Sequence, residues 1–93
     1  MARTFVKGEF ISLRTVWVKG RGKLHLAVGQ KISKKATDRN KIKRRLRAVI
    51  LKLGIAPKTG TEIFIMPTPE IINKSFVEIN KEIERIFRKA GLI

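Results

Sequence analysis

The 93-residue sequence predicts one α+β domain over residues 1–93, a two-layer α/β sandwich. Three observations predict it. Two runs with strand-like alternation, "LRTVWVK" (13–19) and "KLHLAVGQKI" (23–32), flank the turn-forming "GRG". Two longer segments repeat apolar residues at the helical period. Between those segments lies "TEIFIMP" (61–67), short and almost wholly apolar. Strands and helices each with one apolar side close a single core when stacked as two layers.

The elements follow in order. Glycines 20 and 22 bracket Arg21, and glycine tolerates the positive φ of a tight turn, so residues 13–32 read as a hairpin. In its second arm Leu24, Leu26, Val28 and Ile32 fall on one side, and His25, Ala27 and Lys31 on the other. A helix then carries Ile42, Leu46, Val49, Ile50 and Leu53 as one stripe, with Gly54 as its stop. Residues 54–60 read as a loop. "TEIFIMP" reads as a strand covered on both faces, and Thr68 and Pro69 begin a turn. Ser75, three residues before Glu78, forms a capping box for a second helix. Its stripe is Phe76, Ile79, Ile83, Ile86, Phe87 and Ala90, with Glu84 and Arg88 paired outside and Gly91 as cap.

The formal net charge is +15, and it is concentrated. Residues 31–52 carry ten basic side chains against one acidic, while residues 53–93 carry six against five. Such density costs folding free energy by self-repulsion. A polyanion relieves the repulsion and gains counterion-release entropy, so nucleic acid is the expected partner. A membrane is not expected, because an anionic lipid surface would need an exposed apolar helix face that the core already uses. No apolar run approaches the ~20 residues of a bilayer span, and the start of the sequence lacks a signal-peptide core. With no cysteine and one histidine, disulfides, thiolate sites and histidine-rich metal sites are excluded. A reducing cytoplasm fits this composition.

No catalytic constellation emerges. His25 sits between two leucines as a surface or rim residue. Glu78, Glu82 and Glu84 alternate with Lys81 and Arg85 as a solvated helix face. Ser12, Ser33 and Ser75 have no histidine or lysine partner in any defensible arrangement. Binding groups are better supplied. Arg39, Lys43 and Arg47 recur at i, i+4 and i+8 beside the first apolar stripe, with Asn40 and Arg44 one step further round. Arginine offers a planar fork to phosphate and lysine a point charge. Asn40 either caps the helix or reads a base edge or 2′-hydroxyl. Phe5, Phe10 and Trp17 are either core residues or stacking surfaces for unpaired bases.

"KISKKATDRNKIKRRLR" (31–47) resembles the signature of the bacterial ribonuclease P protein component family. That signature is a basic-and-small stretch after a strand, an alanine, then an arginine–asparagine pair opening a basic helix. Arg39 and Asn40 match the pair, Lys43 and Arg44 the next basic pair, and Arg47 the last arginine. From "FVKG" (5–8) to "SFVEINKEIERIFRKA" the element order agrees as well.

The resemblance implies a small sheet with a left-handed β-α-β crossover, a fold shared with a domain of a small-subunit ribosomal protein. It also implies the protein subunit of a ribonucleoprotein endoribonuclease. Lys31, Lys34, Lys35, Arg39, Asn40, Lys43, Arg44 and Arg47 would face the ribonuclease P RNA. Phe5, Trp17 and Lys19 would meet the 5′ leader of precursor tRNA in a cleft between the sheet and a first helix. The RNA, with Mg²⁺, would perform the hydrolysis, with no catalytic or metal-binding side chain from the protein. The family's first helix has no counterpart before Phe5, so the gripping helix is expected complete and the cleft diminished. Gln30, Lys19 and Pro67 stand where the family favours a basic residue, an aromatic and an arginine. A structural RNA-binding protein, such as a small ribosomal protein, is the alternative; duplex DNA is not the expected partner.

Overall fold

The computed structural model describes residues 4–54 and 59–93. Its elements are β1 (Thr4–Lys7), β2 (Ile11–Arg21), β3 (Leu24–Leu26), α1 (Ala36–Lys52), β4 (Thr59–Pro67), a 3₁₀ turn (Pro69–Asn73) and α2 (Phe76–Lys89). Residues 55–58 of the expected 54–60 loop lie outside the described residues.

The sheet order is β1-β2-β4-β3, antiparallel except for the parallel β3–β4 pair. The expected 13–32 hairpin is therefore corrected: β4 lies between its two arms. β4 takes the central place with a strand on either edge, and its Ile63 and Ile65 are almost fully buried. The chain leaving β2 passes the start of β4 closely, for a Cβ on Gly22 would collide with the Thr61 carbonyl oxygen. Glycine 22 is thus required by a backbone crossing. The second arm is also shorter than its alternation suggests. Only Leu24–Leu26 is strand, while Val28 and Ile32 enter the core from the loop beyond. β3, α1 and β4 form a β-α-β crossover between adjacent parallel strands. β1 was not among the expected strands.

Both helices cover one face of the sheet. Ile11, Leu13 and Thr15 of β2 face them, beside Ile63 and Ile65 of β4. α1 contributes Ile42, Leu46, Val49 and Ile50 to this core, and α2 contributes Ile79, Ile83, Ile86 and Phe87. The other face of β4 is only half-covered at Phe64 and Met66, which corrects the expectation of a strand buried on both sides. Phe76 likewise lies outside the core, 39% exposed in the first turn of α2.

The Ser75–Glu78 capping box is present: the Glu78 N–H donates to the Ser75 hydroxyl (3.2 Å) and the Ser75 N–H to the Glu78 carboxylate (3.0 Å). Glu84 pairs with Arg88 at 3.0 Å, as the spacing predicts. Glu82 departs from the expected solvated face. It is buried, accepts a 2.9 Å hydrogen bond from the Phe10 N–H, and pairs with Arg85. Burial alone would raise its carboxyl pKa, but hydrogen bonds from the Phe10 backbone, Arg85 and the Glu9 backbone outweigh it and hold the pKa below the usual glutamate value. Glu82 thereby ties the β1–β2 turn to α2, and a Cβ at Gly8 would overlap its carboxylate.

Candidate nucleic-acid interface

The exposed side of α1 is set by its own period. Because Ile42, Leu46, Val49 and Ile50 turn inward, residues 37, 40, 44 and 47 must turn outward. Thr37, Asn40, Lys43, Arg44 and Arg47 line one shallow groove of about 510 Å³. Four of the expected RNA-facing residues therefore share one concave surface. Asn40 lies inside the helix, whose N-cap is Lys35, so the capping alternative for Asn40 is removed. Among the described residues no side chain of α1 takes part in an ion pair, so these cations remain open to an anion.

Arg39 is placed differently. It is half-buried and donates to the Ser33 carbonyl oxygen at 2.8 Å, while the Ser33 hydroxyl donates to Asp38 at 3.1 Å. It closes the turn before α1 and does not line the groove. Lys31, Lys34 and Lys35 are exposed on that turn, and Lys35 supplies no side-chain cap. The first helical N–H groups and these lysines thus form a positive approach to the helix start.

A second surface lies on the side of the sheet away from the helices. Strand register lines up Phe5, Arg14, Phe64 and His25 as one row across all four strands. Phe5 is 56% exposed. His25 stacks on Phe64 with ring centroids 4.4 Å apart and 11° between planes. Its Nε2 lies 3.4 Å from the Glu62 carboxylate. Among the described residues no helix covers this row. A cationic side chain set between aromatic rings suits the flat faces and phosphates of an unpaired strand.

Trp17 is not on that surface. The unbroken register from Ile11 to Trp17 puts Trp17 on the same side as Ile11, Leu13 and Thr15, opposite Phe5. The expected trio of Phe5, Trp17 and Lys19 is thus not brought together. Trp17 is 58% exposed, which decides between core and surface, whereas Phe10 is core at 4%. His25 was expected as a surface or rim residue, whereas Arg14 and Phe64 went unrecognised as members of a surface. Their strand parity was available in the sequence, but which parity faced outward was not.

The described residues contain no group of three or more His, Cys, Asp or Glu side chains placed to hold an ion. No described helix is long and apolar enough to cross a membrane.

Comparison with known proteins matches these features to one family. The family model described as Ribonuclease P matches residues 3–91. The ribonuclease P protein component of Synechocystis is 40% identical over 68 residues, covering 73% of this chain and 55% of the relative. That of Thermus brockianus is 38% identical over 90 residues, covering 94% of this chain and 51% of the relative. The chain thus spans about half the length of these curated relatives. The solved RNase P protein of Staphylococcus aureus superposes with a TM-score of 0.79 at 19% identity, over 97% of this chain and 83% of that one. The Thermotoga maritima RNase P protein gives 0.75 at 22% identity, over 94% and 83%. At such identities the structures speak for the fold, and the family match for the lineage: this chain belongs to the ribonuclease P protein family.

Proposed function

We propose that this protein is the protein subunit of ribonuclease P and assists removal of the 5′ leader from precursor tRNA. The observation that carries this reading is the α1 groove, where Asn40, Lys43, Arg44 and Arg47 converge with no carboxylate among the described residues that line it. In this reading the groove and the Lys31, Lys34 and Lys35 approach grip the ribonuclease P RNA. Arginine forks take phosphates, and the Asn40 amide supplies a donor and acceptor for a 2′-hydroxyl or base edge. Arg39 supports this grip indirectly by holding the turn. The Phe5–Arg14–Phe64–His25 row receives the single-stranded leader by stacking. Hydrolysis and its Mg²⁺ belong to the RNA; the protein contributes binding and positioning.

The test is reconstitution with a bacterial ribonuclease P RNA at Mg²⁺ too low for the RNA alone, following cleavage of a 5′-extended precursor tRNA. Rescue at the mature 5′ end is expected. Arg44→Ala with Arg47→Ala should weaken binding to that RNA by tenfold or more and lower the salt slope by about two, one per lost phosphate contact. Tight binding without rescue would leave a general RNA-binding protein, and no preference for that RNA would end the subunit reading.

A further inference from the structure

Trp17 is more than half exposed, yet its ring is seated. A Cβ on Gly60 would approach its Cζ3 to 2.8 Å, so the indole packs directly against glycine backbone. Gly60 adopts a φ of +90°, which other residues resist. Beyond Trp17 the chain reaches Lys19, Arg21 and Lys23, all exposed and, among the described residues, all without an ion-pair partner. No acidic residue occurs in the sequence between Glu9 and Asp38. The nearest carboxylate across the pairing, Glu62 opposite Val16, belongs to the other face, beside His25.

More than half of the ring is left free to meet a partner. Backbone support and a run of exposed cations in the next six residues of the chain suit it to meet a flat π-system that carries phosphates. The geometry points to Trp17, with Lys19, Arg21 and Lys23, as a contact site for an unpaired nucleotide of RNA. Trp17 is separate from the α1 groove and lies on the opposite side of the sheet from the Phe5–His25 row. RNA as the partner class rests on the proposed function; the site itself does not require the α1 groove to be correct.

Trp17 is the sole tryptophan and the chain has no tyrosine, so indole emission reports this site alone. Titration with a short single-stranded oligoribonucleotide should quench that emission and shield it from acrylamide. Trp17→Ala should weaken binding about tenfold, within the range for losing one stacked base. Trp17→Phe keeps a ring over Gly60 and should retain most of the affinity. Lys19→Ala with Lys23→Ala, which leaves the packing intact, should weaken binding and flatten its salt dependence. Unchanged emission at saturating RNA, or wild-type affinity in both Trp17→Ala and the lysine pair, overturns the proposal. A blue shift on phosphatidylserine vesicles with none on RNA overturns it in favour of a lipid surface. Arg44→Ala with Arg47→Ala separates the two readings. Wild-type RNA affinity in that variant with quenching retained removes the groove and leaves the Trp17 site standing.

Discussion

Helix α2 opens on reciprocal Ser75–Glu78 hydrogen bonds, whereas α1 opens at Lys35 with no side-chain cap. α2 balances its charges, with Glu82–Arg85 and Glu84–Arg88 pairs and Lys74 near Glu78. α1 crowds Arg39, Lys41, Lys43, Arg44, Arg45, Arg47 and Lys52 against a single Asp38. Local terms of this kind are each small, ~1 kcal/mol for a cap and a few tenths for an exposed i,i+4 pair. α2 collects them and α1 forgoes them. What holds α1 is its inward stripe, together with Arg45, which reaches the Lys74 carbonyl oxygen at 3.4 Å. The difference separates two jobs. One helix secures the sandwich, and the other presents unneutralised charge that the core has to keep in place.

The largest expected effect tests that dependence. Leu46→Asp puts a charge into the fully buried stripe of α1 and should abolish the cooperative thermal transition seen by circular dichroism. Arg44→Ala with Arg47→Ala, on the same helix, should keep the transition or raise it slightly by easing repulsion. A cooperative melt for Leu46→Asp would mean that α1 is not held by its core face.

Next comes the Glu82 tie between α2 and the β1–β2 turn. The folded pKa of Glu82 is lowered, so its contribution is complete above the ordinary glutamate value of 4.5 and is lost as pH falls through the folded value. The hydrogen-bonded Glu78 shifts in the same direction. Urea unfolding should therefore show stability falling below about pH 5, and Glu82→Gln should flatten that fall. The amide should also cost about 1–3 kcal/mol at neutral pH, since hydrogen bonds to a charged group are replaced by weaker ones. A glutamine variant with the wild-type acid profile would show that Glu82 is not the group responsible.

Smaller effects come from the caps. Ser75→Ala should cost ~1 kcal/mol and lower Tm by about 4–8 °C, with RNA affinity unchanged. Lys35→Asp is the mirror experiment. It supplies α1 with a cap and favours its dipole by about 0.5–1 kcal/mol, while removing a cation from the approach to the groove. Calorimetry should show a higher Tm together with weaker RNA binding. If stability and affinity rise together, the missing cap is not part of the interface.

Much of this was legible in the chain before any fold. The α1 and α2 stripes, the Ser75 box and the outward groove residues follow from the 3.6-residue period, which fixes neighbours within one helix. Trp17 shows where that reading stops. The sequence left it either core or surface, and its exposure came only with the assembled sheet. Glu82 looked like a solvent residue because its neighbours are charged. Its partner, the Phe10 N–H, is 72 positions away.

Local chemistry along the chain therefore determined the two helices, the clustering of charge and which helix carries it, because each depends on residues a few positions apart. Strand neighbours, the face of the sheet left open, and the parting of Phe5 from Trp17 came only with assembly. β4 enters between strands that precede it by more than thirty residues, and sequence spacing carries no record of that insertion. The close backbone crossing at Gly22, where a Cβ would overlap Thr61, is what makes room for it.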